Sequence, residues 1–212
     1  MNTEIFLQGF IPLALAHFLA LLSPGADFFI LISTSIKQGK LSGLLTAFGI
    51  ALGNAIYISF ALFGMILIQN NSILFFSIKI IGVLYLLYLS YGLIASKKRD
   101  LFSNISSDLH KKDIIKSVLK GLFSALLNPK NSLFYFTMFS ISSSEHIPFN
   151  YQLYYAIWMF SAVLIWDCFI VYLIHSKQNR ILIQTYSNKI EKYSGYILLI
   201  LACIILFESI KF

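Results

Sequence analysis

The chain has 212 residues, of which 58% are hydrophobic and only 12% are charged, and its mean hydropathy is +0.79. About 25% of the residues in a soluble domain are usually charged, so this composition excludes an ordinary soluble protein. The formal net charge of +7 would allow an anionic partner such as nucleic acid, and the positions of the basic residues test that alternative.

Six apolar runs follow one another along the chain, and each is long enough to cross a bilayer, which takes a helix of about 20 residues. No Lys or Arg precedes the first run, whereas a cleavable signal peptide usually begins with a positive region, so we expect this run to be retained. The pattern predicts an all-α membrane protein with six transmembrane helices. The runs are 5–36, 43–68, 73–95, 117–141, 152–175 and 193–210.

Most of the 16 basic residues lie in three alternate connections between these runs, at 37–42, 96–120 and 176–192. The other two connections, "QNNS" at 69–72 and "SSSEHIPFN" at 142–150, contain no Lys or Arg. Cytoplasmic loops are enriched in Lys and Arg. The distribution predicts that the basic connections face the cytoplasm and that both termini lie outside. It also explains the charge without a nucleic-acid partner.

Two similar stretches indicate an internal repeat: "LLSPGADFFI" begins at Leu21 and "LLNPKNSLFY" begins at Leu126. The only long polar segment lies between them and leaves three apolar runs on each side. Units of three spans have opposite orientations in the membrane, and such inverted repeats are common in secondary transporters. We expect a single transmembrane domain over 1–212, with repeat one at about 1–95, a cytoplasmic linker at about 96–117 and repeat two at about 118–212.

The two proline motifs are predicted to lie near the centre of the bilayer. Asp27 lies about 15 Å, and Pro129 about 18 Å, along a helix from the predicted cytoplasmic end of its run. A proline removes a backbone donor and clashes with the preceding turn, so we expect the first and fourth helices to be broken there, with a structural kink as the alternative. The N–H groups of Gly25–Phe28 and Lys130–Ser132 would then suit a carboxylate.

Four polar side chains inside the apolar runs are candidates for function. Asp27 is expected to bind an ammonium group or carry a proton, because an ionisable group at mid-membrane usually faces a partner or an aqueous cavity. Lys130 lies at a similar depth and could pair with it. Asp167 is a second candidate proton carrier, or alternatively a structural hydrogen-bonding group. Asn54 could line the substrate path.

Other residues favour structural interpretations. We expect His17 to make a structural hydrogen bond and Lys79 to extend to the membrane surface. Cys168 and Cys203 are expected to be buried structural thiols, because no CxxC pair is present. The chain has no clustered metal ligands, nucleophile–base arrangement or phosphate-binding loop. These observations predict a protein that is not an enzyme and has no metal or other cofactor.

Three stretches together resemble the lysine exporter family, also called the LysE or RhtB type. "SPGADFFILISTSIKQGKLSGLLTAFGIALGN" at 23–54 resembles the opening signature of that family, and "IKIIGVLYLLYLSYGLI" at 78–94 resembles its third span. "LKGLFSALLNPKNSLFYF" at 119–136 is similar to its fourth-span motif. The resemblance covers most of the chain and keeps the order of the motifs in the family.

The resemblance implies export of amino acids or their analogues, powered by the proton gradient, through six spans of a bacterial inner membrane, often as a homo-oligomer. It carries over Asp27, Lys79 and Lys130 as charged residues of the motifs. Two departures are evident. Ala26 stands where the family commonly has a second proline, and the Pro-Gln-Phe element that commonly follows the Asn-Pro-Lys motif is missing.

The combined hypothesis is an amino-acid exporter that works by proton antiport, with the substrate, protons and the lipid bilayer as its partners. The sequence does not identify the amino acid. A metal-ion or other small-solute exporter is one alternative, and a transmembrane thiol–disulfide carrier is another. The candidate substrate-binding residues are Pro24, Gly25, Asp27, Asn54, Asn128, Pro129 and Lys130, and the candidate proton-coupling residues are Asp27 and Asp167.

Overall fold

A computed structural model describes residues 3–68, 72–102, 113–142 and 148–210, and this part of the chain contains eight α-helices and no strand. Four of these helices are long and apolar enough to cross a membrane, namely α1, α3, α7 and α8. The helices are α1 (Thr3–Leu21), α2 (Ala26–Gln38), α3 (Lys40–Ile68), α4 (Ser72–Ile94), α5 (Ile114–Leu126), α6 (Pro129–Ser142), α7 (Phe149–Leu173) and α8 (Lys177–Ile210).

The helix ends reflect the local sequence. Gly25 precedes α2 in an extended conformation, with φ −106° and ψ −169°, directly after Pro24. At the other end of α2, Gly39 adopts a φ of 89°, which favours glycine, and α3 starts at the next residue. Asp113 caps α5 by accepting a hydrogen bond from the Lys116 amide at 3.0 Å.

The helix α3 packs along α5 and α7, and glycines bring α3 and α5 into backbone contact. A Cβ atom at Gly49 would lie 2.0 Å from the Val118 carbonyl oxygen, and one at Gly121 would lie 2.1 Å from that of Thr46. The spacing of Gly49 and Gly53, four residues apart, permits this close helix contact. This contact holds α5, and with it the start of the Asn-Pro-Lys motif, against α3.

Two apolar clusters form the interior. One joins α1, α4, α6 and α8 to parts of α3 and α7, and the other joins α2 and α5 to different parts of the same two helices. Many aliphatic and aromatic side chains face outward instead, including Phe60 at 64% and Ile165 at 69% exposure. An apolar outer surface of this extent fits contact with lipid rather than with water.

The sequence predicts a loop at 176–192, and this prediction is wrong. The structure has α8 there, one continuous helix of 34 residues that begins at Lys177. At 1.5 Å per residue it is about 51 Å long, which exceeds the apolar thickness of a bilayer, about 30 Å. The segment that follows α4, residues 95–102, lies against the N-terminal part of α8. The Gln184 side chain accepts a hydrogen bond from the Leu101 amide at 2.8 Å and donates one to the Arg99 carbonyl at 2.7 Å.

Candidate functional site

A cavity lies where the chain leaves helical geometry between α1 and α2 and between α5 and α6. It encloses about 600 Å³, including the space at its mouth. Both interruptions contribute to its wall, together with side chains from α3 and α7. Its lining includes His17, Gly25, Asp27, Asn54, Asn128, Lys130, Asn131, Trp166 and Asp167.

Asp27 joins the two interruptions through its carboxylate. Oδ1 accepts a hydrogen bond from Ser124 Oγ at 2.5 Å, and Oδ2 accepts from Asn131 Nδ2 at 2.9 Å and Asn128 Nδ2 at 3.2 Å. Sequence reasoning found Asn128 but missed Ser124 and Asn131. These two residues lie on opposite sides of the interruption, on α5 and α6, so helical spacing from Asn128 gave no signal for them.

Lys130 contributes to the same cavity but is not paired with Asp27. The ion pairs in the described part of the chain are Arg99–Glu191 and Lys116–Asp113, and neither joins Lys130 to a carboxylate within 4.0 Å. The backbone of Lys130 is fixed, because its carbonyl oxygen accepts a hydrogen bond from the Tyr85 hydroxyl at 2.9 Å. The ammonium group is therefore available to a ligand.

The two half-helix N-termini differ. The first turn of α2 has no side-chain cap, and no hydrogen bond from the amides of Ala26, Asp27 or Phe28 occurs within the described residues. In α6, by contrast, the Lys130 amide donates to Asn128 Oδ1 at 3.1 Å. The expectation of free N–H groups therefore holds at the start of α2 and is wrong for Lys130 and Asn131. The Asn128 side chain accepts from the Lys130 amide, and the Asn128 carbonyl oxygen accepts from the Asn131 amide at 3.0 Å.

Several buried polar atoms in the cavity wall lack a hydrogen-bond partner among the residues that the structure describes. They are both ring nitrogens of His17, Asn54 Oδ1, Trp166 Nε1 and Asp167 Oδ2. His17 is 1% exposed, and its ring stacks on Phe134 with centroids 5.7 Å apart. The structural hydrogen bond expected of His17 is therefore wrong. Unpaired buried polar atoms are costly, so their concentration at one cavity indicates a place for a polar ligand or water.

The other sequence candidates lie around or away from this cavity. Pro24 is buried beside it, whereas the side chains of Pro129 and Lys79 lie outside the described residues. Cys168 and Cys203 are free thiols, but neither is buried as expected, because Cys168 is half-buried and Cys203 is exposed. No group of three His, Cys, Asp or Glu residues that could hold a metal ion occurs in the described ranges.

A comparison with protein families identifies the class of protein to which this chain, with its cavity, belongs. The family model of the LysE type translocator matches residues 18–209, a range that includes both helix interruptions and every residue of the cavity wall except His17. The chain belongs to this family. It is accordingly an integral membrane transporter and not an enzyme, and the resemblance noted in its motifs is confirmed.

The individual relatives of this translocator are likewise described as efflux or membrane proteins. The threonine efflux protein of Escherichia coli strain K12 is 28% identical over 65% of this chain and 68% of its own length. The uncharacterized membrane protein YahN of the same strain is 30% identical over 70% of this chain and 66% of its own length. The uncharacterized membrane protein YrhP of Bacillus subtilis is 27% identical over 91% and 94%, respectively. No solved structure matches the chain.

Proposed function

We propose that this translocator exports amino acids or their derivatives across a bacterial inner membrane by proton antiport. The single observation that carries the proposal is the cavity in which an uncapped helix N-terminus, an unpaired ammonium and a hydrogen-bonded carboxylate line one space. An amino acid has one carboxylate and one ammonium, so this set of groups is complementary to it. The threonine efflux relatives support the substrate class.

The proposed architecture is a single domain of six spans formed by two inverted repeats. In this arrangement α1 with α2 forms a broken first span, and α5 with α6 forms a broken fourth span. Contacts between the two halves support it: the equivalent elements α3 and α7 pack together, as do α4 and α8, and the contact of α1 with α6 has its counterpart in that of α5 with α2. A twofold relation between repeats brings equivalent elements together in this way. The basic connections would face the cytoplasm and both termini would lie outside.

The substrate carboxylate is proposed to bind between the first turn of α2, at Gly25, and the ammonium of Lys130. Both a helix N-terminus and a lysine favour a negative charge. The substrate ammonium is proposed to bind Asp27. A carboxylate has about four acceptor positions and that of Asp27 uses three within the protein, so one remains for the ligand. Asn54 and Asn128 would complete the polar wall.

Proton coupling is proposed to arise because acidic groups and substrate share the cavity. A proton on Asp27 would compete with the substrate ammonium for the same carboxylate. Asp167, which is 8% exposed and has an unpaired Oδ2, is the second proposed proton carrier. Protonation from outside would then release the substrate, and deprotonation on the cytoplasmic side would restore the binding site.

The test is transport by purified protein in proteoliposomes, with labelled threonine as the first probe and unlabelled amino acids as competitors. We expect an imposed proton gradient to accelerate threonine movement. Asp27→Asn should lower the rate about 10-fold or more, because a hydrogen bond to a charged group contributes about 1.5–3 kcal/mol.

Asp113→Asn is the matched control. It removes a carboxylate at the surface and keeps an N-cap residue of equal quality at α5, so it should transport normally. Wild-type rates for Asp27→Asn would exclude the proposed mechanism. Absence of transport for every amino acid in the panel would exclude the substrate class.

A further inference from the structure

A second, wider cavity adjoins the candidate site. It encloses about 1340 Å³, including the open solvent at its mouth, and lies between α4, α6 and α8. Ala20, Ser23, Gly25 and Lys130 line both cavities. The second cavity therefore reaches the same α2 N-terminus and the same lysine that are proposed to bind the substrate carboxylate.

An ion pair lies in the wall of this second cavity. Arg99 Nη2 is 2.5 Å from Glu191 Oε1, and both residues line the cavity. The two partners differ in burial: the Glu191 side chain is 3% exposed, whereas that of Arg99 is 47% exposed. Arg99 belongs to the basic connection after α4, so the pair lies on the side predicted to face the cytoplasm.

The segment that carries Arg99 is fastened to one face of α8. Gln184, Asn188 and Glu191 are spaced four and three residues apart, so they share that face. Gln184 bonds the backbone of Arg99 and Leu101, and Asn188 Nδ2 donates to the Ser96 carbonyl at 3.0 Å. Neutral amides therefore also hold the backbone of this segment, in addition to the ion pair.

The pair suits a zwitterionic ligand. A buried carboxylate is stable only while an opposite charge neutralises it, and a guanidinium can bind a carboxylate with two parallel hydrogen bonds. An amino acid could replace the internal contact with two of its own, its ammonium on Glu191 and its carboxylate on Arg99. Glu191 would remain neutralised throughout such an exchange, so opening the pair would not leave a buried charge unpaired.

We propose that Arg99 and Glu191 form an outer binding site for the zwitterionic backbone of the substrate on the cytoplasmic side. This proposal rests on the proposed function. A substrate bound there separates the two side chains within the second cavity, whose wall also includes Lys130 and Gly25. The outer site thereby collects zwitterions next to the proposed site for the substrate carboxylate.

The test measures threonine transport from each side of the membrane, in proteoliposomes of known orientation. Glu191→Gln and Arg99→Gln should each raise the KM for threonine about 10-fold or more when it is supplied on the cytoplasmic side, consistent with loss of one charged contact. The KM from the opposite side should change less than 2-fold. The double variant Arg99→Glu, Glu191→Arg should recover part of the cytoplasmic-side affinity.

Two control variants separate binding from simple fastening of the segment. Lys116→Gln removes the other described ion pair, at the surface, and should leave both KM values unchanged. Gln184→Ala loosens the segment without removing a charge. If Gln184→Ala reproduces the cytoplasmic-side KM increase of Glu191→Gln, the pair only fastens the segment and the proposal is wrong.

The outcomes distinguish this proposal from the proposed function. Unchanged KM values in Arg99→Gln and Glu191→Gln, while the wild type transports threonine and Asp27→Asn does not, would overturn the outer site alone. Failure of the wild type on the whole amino-acid panel would overturn the proposed function first. If the variants that remove a charge do not fold, Arg99→Lys decides: it keeps a positive charge beside the buried Glu191 carboxylate, loses the two parallel hydrogen bonds of the guanidinium, and should still raise the cytoplasmic-side KM.

Discussion

The two helix interruptions differ in how their ends are covered. At the first, the N-terminus of α2 has no side-chain cap and opens into the cavity. At the second, Asn128 covers the Lys130 amide, and the Tyr57 hydroxyl donates to the Leu126 carbonyl at 2.5 Å. Asn131 also donates to the Ala125 carbonyl at 3.3 Å. At the second interruption, these backbone groups are therefore hydrogen-bonded to side chains of the protein itself.

This difference indicates a division of roles between two similar stretches. Backbone polar groups freed within a membrane must find partners. The second interruption finds them inside the protein and becomes a rigid support that presents Ser124, Asn128 and Asn131 to Asp27. The first leaves its donors to the cavity, where a ligand can take them. In the proposed architecture, the internal repeat would thus supply two similar backbones, and the side chains beside each proline would determine which one meets the substrate.

Asn128→Ala should have the largest effect, because Asn128 serves both interruptions. It caps α6 and donates to Asp27. Loss of a cap costs about 0.5–2 kcal/mol and loss of a charged hydrogen bond about 1.5–3 kcal/mol, so both the melting temperature and the transport rate should fall. Thermal unfolding in detergent and threonine transport in proteoliposomes measure the two effects.

Asn128→Ser is the matched control for this prediction. Ser23 occupies the corresponding position of the first interruption, so this variant gives both interruptions a serine before the proline. Serine is a good N-cap, so the melting temperature should recover most of the loss while transport stays reduced. Equal loss of stability in both variants would show that capping is not what Asn128 contributes.

The second prediction concerns the cavity wall on the side of the first interruption, where the unpaired polar atoms are concentrated. His17→Leu removes two unpaired ring nitrogens and keeps an apolar side chain against Phe134. Removing an unsatisfied buried polar group relieves a cost of about 1–3 kcal/mol, so stability should be unchanged or higher. Threonine transport should nevertheless fall several-fold, because the cavity loses a polar contact.

His175→Leu is the control, since His175 lies at the exposed end of α7 with Nδ1 2.8 Å from the Val171 carbonyl oxygen. It should change transport little. A His17→Leu variant that unfolds at a lower temperature than the wild type would mean that the ring has a structural partner after all.

The positions of the polar groups could be predicted from the sequence to a large extent. Helix ends lie beside Pro24 and Pro129, because a missing amide hydrogen is a local property of the chain. Asp27, Lys130 and Asp167 were recognised because charged groups are rare in apolar runs, and all three line one cavity.

The partners of those groups could not be predicted. Ser124 and Asn131 reach Asp27 only through the rotation of α5 and α6 against α2, which tertiary packing determines. The pairing of Arg99 with Glu191 joins residues 92 positions apart. Glu191 itself lay in an expected loop, because the charges at 177–192 concealed the continuation of α8. Periodicity and composition describe single elements and carry no information on such contacts.

Gly25→Ala should have the smallest effect and is the sharpest test of the comparison between the interruptions. A Cβ atom at this position would meet nothing within 4 Å, and the backbone is in an extended region that any residue adopts. Alanine is a poorer N-cap than glycine, so stability should fall by less than about 1 kcal/mol. The added methyl group enters the cavity at the end of α2, where the substrate carboxylate is proposed to bind.

The KM for threonine should therefore rise about 2- to 5-fold, a change worth under about 1 kcal/mol, while the maximal rate is kept. Gly64→Ala is the control, because its Cβ would make only an ordinary contact, 3.4 Å from Phe136, far from both interruptions in the chain. It should change neither quantity. If Gly25→Ala lowers the maximal rate and leaves the KM unchanged, the first interruption acts as a hinge, and the substrate carboxylate must then bind elsewhere in the cavity, with Lys130 as its remaining cation.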